Sequence, residues 1–219
     1  MTWFTCSNVP LAYLNIHKSA STTIRNVMHF LDNGFYPEDH LSVHRPSYRT
    51  NGGTVLDDPA RMEEILAGKH CTFTFIRDPK ERAWSCFCGK IVASGEENFT
   101  EVREFLEQNY DFDEDRTPSE NFAGFIRFVD DNLSGNTPLY IDDHWMPQSA
   151  IISGVEIDFL GTVCRLQEGF DAVLMKVGIL PVAIPKFHLS QLAFVPDEKT
   201  EGLLREIYAD DYRTYEGLK

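Results

Sequence analysis

Seven residues near the amino terminus, His17-Lys18-Ser19-Ala20-Ser21-Thr22-Thr23, put one fixed cation and four hydroxyls into a short polar run. A lysine meets a phosphate as a point charge, and hydroxyls add donors. The start of a helix adds backbone amides and the positive end of a dipole. Such a run holds an anion where it joins a strand to a helix, and both flanks fit. Leu11 to Ile16 is a short apolar run of the kind that forms a buried strand, and Ile24, Val27, Met28 and Leu31 recur at helical spacing. The pattern G-x-x-x-x-G-K-[ST] is missing, so this is no Walker A loop in the strict sense. A plain strand-to-helix turn with Ser21 or Thr22 as N-cap accounts for the same residues. Taken alone, the run leaves phosphate cradle and simple cap both open.

A second group stands at Arg77-Asp-Pro-Lys-Glu-Arg-Ala-Trp-Ser85. His70 to Ile76 is rich in β-branched and aromatic residues and reads as a strand. Asp78 can then cap, and Pro79 can open, a helix running on through CFCGKIVAS. Arg77 falls at the carboxyl end of that strand, the edge where α/β sheets bind ligands. Ser85 lies at i+3 from Arg82 on the same helical face. An arginine fork grips a phosphate through two parallel bonds, and Ser85 adds a hydroxyl. The plainer alternative pairs Arg77 with Asp78 or with a helix end. Two strand-end anion sites one crossover apart point to a ligand carrying phosphates at two places.

The elements that must position these groups alternate. Helices are expected over 59–68, 99–109, 119–133, 169–179 and 197–209, with a further strand over 158–163. Residues 110–120 are acidic and read as a solvated surface linker. Residues 31–58 keep no period and form a long loop that holds three aromatics and two histidines, His40 and His44. Loops of that length inside compact domains are usually functional. Strands alternating with helices define an α/β fold with a mostly parallel central sheet flanked by helices.

The totals narrow the function. A chain of 219 residues fits a single domain over 1–219. Its net charge of −14 excludes a duplex nucleic-acid binder, so any phosphate site must be a local cluster of positive groups. No run reaches the roughly 18 apolar residues of a membrane helix. The first residues lack a basic leader and apolar block, so a cytoplasmic protein is expected. Five scattered cysteines read as reduced and mostly packed. Cys86-x-Cys88 diverges on a helix, and no cluster has zinc-ligand spacing, so no metal is expected.

The pair of anion motifs resembles the two signatures of sulfotransferases that use 3′-phosphoadenosine 5′-phosphosulfate (PAPS). His17 to Thr23 resembles their 5′-phosphosulfate loop, with histidine where proline is usual before the lysine, and Arg77 to Ser85 resembles their 3′-phosphate motif. The stretch from Ser119 to Ile179 resembles carbohydrate sulfotransferases of the chondroitin/dermatan type. It carries a helix, then His144-Trp-Met-Pro-Gln148, then Asp158-Phe-Leu-Gly161 and a helix. The closing Ile207-Tyr-Ala-Asp-Asp-Tyr212 is similar to that family's tail. The resemblance implies a three-layer, P-loop-like sulfotransferase fold in a soluble, bacterial-type member, with PAPS as donor and no metal. It implies that Lys18 stabilises the leaving group, that His17 to Thr23 surround the 5′-phosphate, and that Arg77 and Ser85 hold the 3′-phosphate. A hydroxyl acceptor needs a general base, and histidine is poised for that near neutral pH. His44 is the first candidate and His40 the second, since related enzymes place a base in this loop. His144 is the third, with a structural role the expectation there, and Lys186 and His188 sit in a late loop that could cover the donor. The acceptor is expected to be a glycan hydroxyl, or else a small hydroxylated or amine-bearing metabolite. The rival classes are a P-loop-like nucleotide kinase and a non-catalytic nucleotide-binding module.

Overall fold

The strand expected ahead of the first anion motif is present as β2 (Leu11–Leu14), with all four residues buried. The computed structural model describes residues 2–44, 59–93, 99–185 and 196–219. These fall into two compact units. The first comprises the described residues up to Ile76 and from Ile151 to Pro185; the second runs from Arg77 to Ala150 and from Pro196 to Gly217.

The first unit holds one four-stranded sheet in the order β1-β2-β3-β4. β1 (Trp3–Thr5) is an antiparallel edge strand that residue pattern did not reveal, since three residues are too few to show a period. β2, β3 (Cys71–Ile76) and β4 (Phe159–Thr162) are parallel, with Leu11 opposite Cys71 and Phe73 opposite Phe159. β3 is buried at every position, as a parallel strand covered on both faces must be. Leu11, Tyr13, Phe73 and Phe75 lie on one face. They pack with Ile24, Val27 and Met28 of α1 (Ser21–Asn33) and with Phe170, Val173 and Leu174 of α7 (Leu166–Lys176). On the other face, Arg61 of α2 (Pro59–Leu66) donates to the Thr5 hydroxyl at 3.0 Å and the Cys6 carbonyl at 3.2 Å. The buried Thr74 hydroxyl donates to the Leu14 carbonyl at 2.8 Å, tying β3 to the end of β2. The result is the α/β fold expected, a mostly parallel sheet flanked by helices.

The described part of the second unit is helical and built on aromatic rings. It contains α3 (Pro79–Cys86), α4 (Thr100–Asn109), α5 (Pro118–Leu133), the start of α6 (Gln148–Ile152), α8 (Glu198–Ile207) and α9 (Ala209–Gly217). Trp84, Phe87, Phe122, Phe125, Phe128 and Trp145 form one buried cluster, joined by Leu204 and Tyr208. The helix expected through CFCGKIVAS changes pitch at Phe87, where one π-helical segment (Phe87–Val92) takes over. Asp111 and residues 113–117 are exposed, as expected of a solvated acidic linker, with Phe112 the exception. Phe112 is buried beneath the Arg103 guanidinium, and Thr117 with Glu120 forms a capping box that opens α5. The helix expected over 169–179 begins earlier, at Leu166, and the final helix is two, divided at Tyr208. No disulfide links the five cysteines, of which Cys6, Cys71 and Cys86 are buried.

Candidate active site

The run at 17–23 is the crossing from β2 to α1, and its backbone is unusual. Lys18 (φ 65°) and Ala20 (φ 60°) both adopt the left-handed conformation. A residue with a Cβ gives up about 1–2 kcal/mol there, which is why glycine is the ordinary occupant. Ser19 between them is fully buried, and its amide donates to the Ile16 carbonyl at 3.3 Å. The N-cap of α1 is Ala20, with no side-chain cap bond, so neither Ser21 nor Thr22 fills that role. A helix that starts without a hydroxyl or carboxylate cap keeps its first amides for another acceptor. Alternating left-handed residues at a helix start also turn successive amides to one side, the geometry of an anion nest. His17, Lys18, Ala20, Ser21 and Thr22 are partly accessible, and Thr23 is buried. The His17 Nε2 lies 3.4 Å from the Asn15 amide nitrogen. Strain of this kind, held by a packed strand and helix, recurs at ligand-binding turns.

His44, at the end of a 3₁₀ turn (Ser42–His44), reaches α1. Its Nδ1 lies 2.8 Å from an Arg25 guanidinium nitrogen, and its Nε2 lies 2.9 Å from the Thr22 hydroxyl. A guanidinium only donates, so Nδ1 is the acceptor and the ring proton sits on Nε2, directed at Thr22. Arg25 also donates to the Val43 carbonyl and stacks over Phe4 at 4.1 Å. Asn26, fully buried, donates to the carbonyls of Thr22 (2.7 Å) and His40 (2.8 Å), fastening the loop to the first turns of the helix. Arg25 and Asn26 belong to neither anion motif of the sequence. Their helical spacing from Thr22 was the available signal. The structure therefore brings Lys18, Thr22, His40 and His44 into one unit, with His44 bonded to the turn itself. Lys186 and His188 lie outside the described residues.

The second unit carries Arg77 and Ser85. Asp78 caps α3 as expected, accepting from the Glu81 amide at 3.2 Å, with Pro79 at the first helical position. The Arg77 Nε pairs with Glu81 at 3.2 Å, one turn on, and not with Asp78. Glu81 is 62% exposed, so that pair is a surface contact worth little and open to replacement by a stronger anion. Ser85 is half-buried on the same helix. Gln148 is fully buried and makes two bonds to the Arg77 backbone: Oε1 accepts the Arg77 N–H at 2.9 Å, and Nε2 donates to the Arg77 carbonyl at 2.9 Å.

The segment from Asp142 to Gln148 is pinned at several points. Arg82, only 2% exposed, donates to the carbonyls of Met146 (2.8 Å) and Asp143 (3.0 Å). The Trp145 indole donates to Asn132 at 2.8 Å, and the Tyr208 hydroxyl donates to the Trp145 carbonyl at 2.8 Å. Burial pushes the Tyr208 phenol well above its ordinary range, so it stays a donor at any working pH. The His144 ring meets a carboxylate. Its Nδ1 lies 2.6 Å from the Asp142 carboxylate, and its ring stands edge-on to Phe99 at 5.4 Å. A carboxylate on Nδ1 fixes the tautomer and makes Nε2 the acceptor atom.

The chain belongs to the sulfotransferase family: the model of that family matches residues 1–216, running through both units. It is therefore a transferase enzyme whose chemistry is sulfuryl transfer, and the kinase and non-catalytic readings give way. Comparison with curated proteins and with solved structures found no match. No helix among the described residues is long and apolar enough to cross a membrane.

Proposed function

We propose that the protein transfers the sulfuryl group of PAPS to a hydroxyl of a carbohydrate acceptor. The observation that carries the donor assignment is the strained, uncapped turn at 17–23 after β2, which supports an anion cradle with a lysine at its mouth. Amides and hydroxyls from Ser19 to Thr23 bind the 5′-phosphate. Arg77 and Ser85 bind the 3′-phosphate, the group that separates PAPS from ATP. The acceptor oxygen attacks sulfur in line, and the bond from sulfur to the phosphate oxygen breaks. The electron pair leaves on that oxygen, where the Lys18 ammonium stabilises it, and the acceptor proton passes to a histidine.

His44 and His40 are the first candidates for that histidine. For His44 to accept a proton on Nδ1, the Arg25 bond must yield. The bond between His144 and Asp142 favours His144 as a further candidate, because it holds the imidazole in the tautomer a base requires. Alanine variants at the three positions separate them. The base variant keeps donor affinity and loses transfer by about 10²–10⁴-fold, and the other two retain it.

The donor assignment is tested by thermal melting. Adenosine 3′,5′-bisphosphate at a hundredfold excess over Kd adds about 2.7 kcal/mol of stability, and ATP with Mg²⁺ adds far less. A shift with ATP alone would sink the PAPS assignment. Lys18→Ala is expected to keep bisphosphate binding within a few-fold and to abolish transfer. The acceptor is tested by a screen with labelled PAPS over neutral sugars, anionic glycan fragments and small alcohols and amines; label on small amines alone would replace the carbohydrate assignment.

A further inference from the structure

Arg77 stands between the last ladder residue of β3, Ile76, and the N-cap of α3, Asp78. Neither sheet register nor helix geometry sets the backbone of a residue in that position. Gln148 supplies what they do not. Its carboxamide presents one acceptor and one donor in a plane, as a peptide unit does, and meets the Arg77 N–H and C=O at 2.9 Å each. A single buried side chain thus stands in for a neighbouring strand at this one residue.

The clasp is itself held. Asp211, fully buried at the start of α9, accepts the Gln148 amide on Oδ2 at 2.8 Å and the Ser149 amide on Oδ1 at 2.7 Å. The Gln148 Nε2 also lies 3.5 Å from Asp211 Oδ2. A buried carboxylate and a buried carboxamide are costly to keep in an aromatic core, and an apolar pair of the same volume would pack there without that cost. Here both ends of the Gln148 carboxamide meet one backbone position, and Asp211 holds the Gln148 and Ser149 backbone beneath it. That position carries the guanidinium, whose Nε pairs with the exposed Glu81 one turn on.

We propose that Gln148 and Asp211 are positioning residues for phosphate recognition: Asp211 orients Gln148, and Gln148 holds Arg77 so that its fork meets the 3′-phosphate of the donor. This rests on the donor assignment above, and neither residue touches the donor. The pair makes the tail of the chain, at Asp211, part of the selectivity for a 3′-phosphorylated nucleotide.

The test compares adenosine 3′,5′-bisphosphate with adenosine 5′-phosphate, which lacks only the 3′-phosphate, by calorimetric titration of the full chain. In wild type the bisphosphate binds more tightly. Gln148→Met, close in volume and without the two bonds, is expected to weaken bisphosphate binding about tenfold and adenosine 5′-phosphate less than about twofold. Asp211→Asn, which keeps shape and one acceptor, is expected to move the ratio the same way by a smaller factor, and carries the test where Gln148→Met folds poorly. In an Arg77→Ala background, Gln148→Met is expected to change the ratio no further. An unchanged ratio in folded Gln148→Met, or equal losses for both nucleotides, overturns the proposal and leaves the pair a packing feature. Wild type binding both nucleotides equally would instead remove the PAPS assignment, and this proposal with it.

Discussion

At the scale of single residues, the informative feature is backbone conformation at Lys18 and Ala20. Neither residue type favours the left-handed region, so nothing in their identity announces it. Lysine at position 18 is explained by its proposed role on the leaving group; alanine at position 20 is not, and it has a measurable cost. Ala20→Gly relieves the Cβ clash while adding freedom to the unfolded chain, and relief is the larger effect at positive φ. The variant is expected to gain about 1 kcal/mol, raising Tm by about 2–4 °C for a chain of this size. If the strain also shapes the anion nest, donor affinity falls in the same variant while Tm rises. A melting curve and a bisphosphate titration on one preparation read both. His44 shows the same limit of sequence reading. Its place in the long loop was visible, but its bonds to Thr22 and Arg25 cross 22 and 19 residues, and no local pattern encodes them.

At the scale of elements, local chemistry was readable where it is local. The Asp78-Pro79 start of α3, the apolar run of β2 and the alternating Phe73 and Phe75 of β3 each act within a few residues. What escaped is carried by distant pairs: Gln148 meets Arg77 across 71 residues and Asp211 across 63. Close packing was equally hidden. A Cβ on Gly124 of α5 would stand 2.4 Å from the Tyr110 carbonyl oxygen, a backbone atom that cannot swing aside. Gly124→Ala is expected to cost about 1–3 kcal/mol, read as a lower urea midpoint with an unchanged slope. The joint between β3 and β4 adds a pH dependence. Asp158 takes the Lys176 ammonium at 2.9 Å and the Thr72 amide at 3.0 Å, and these bonds, the lysine first, hold its carboxyl below its ordinary value of 3.8. The unfolded chain therefore binds the proton more readily in the window below that value. The stability contributed is present above it and is lost as pH falls through the depressed folded value. Asp158 is 42% exposed, so solvent screening keeps the effect small. Urea melts of Asp158→Asn against wild type should show a gap at pH 7 that narrows progressively as pH falls below 3.8. A gap of constant width across that range would mean the carboxylate charge is not what stabilises the joint.

At the scale of the whole molecule, 34 acidic against 20 basic residues surround chemistry that handles anions at every step. A field of that sign repels a polyanion at long range, whereas the donor contacts proposed at Lys18 and Arg77 act at short range, where salt screens them less. The two ranges separate experimentally. Between about 20 and about 200 mM salt the Debye length shrinks from about 20 to about 7 Å, which removes most of the long-range repulsion and spares bonded contacts. KM for an anionic glycan fragment is therefore expected to fall several-fold as salt rises over that span, while kcat/KM for a neutral saccharide of the same length stays level. A local basic groove for acceptor would produce the reverse, KM for the anionic fragment rising with salt as its phosphate-like contacts are screened. The comparison needs both acceptors at saturating PAPS, so that salt effects on donor binding drop out. Its outcome decides whether net charge selects against polyanionic acceptors or is merely the background on which a basic groove is set.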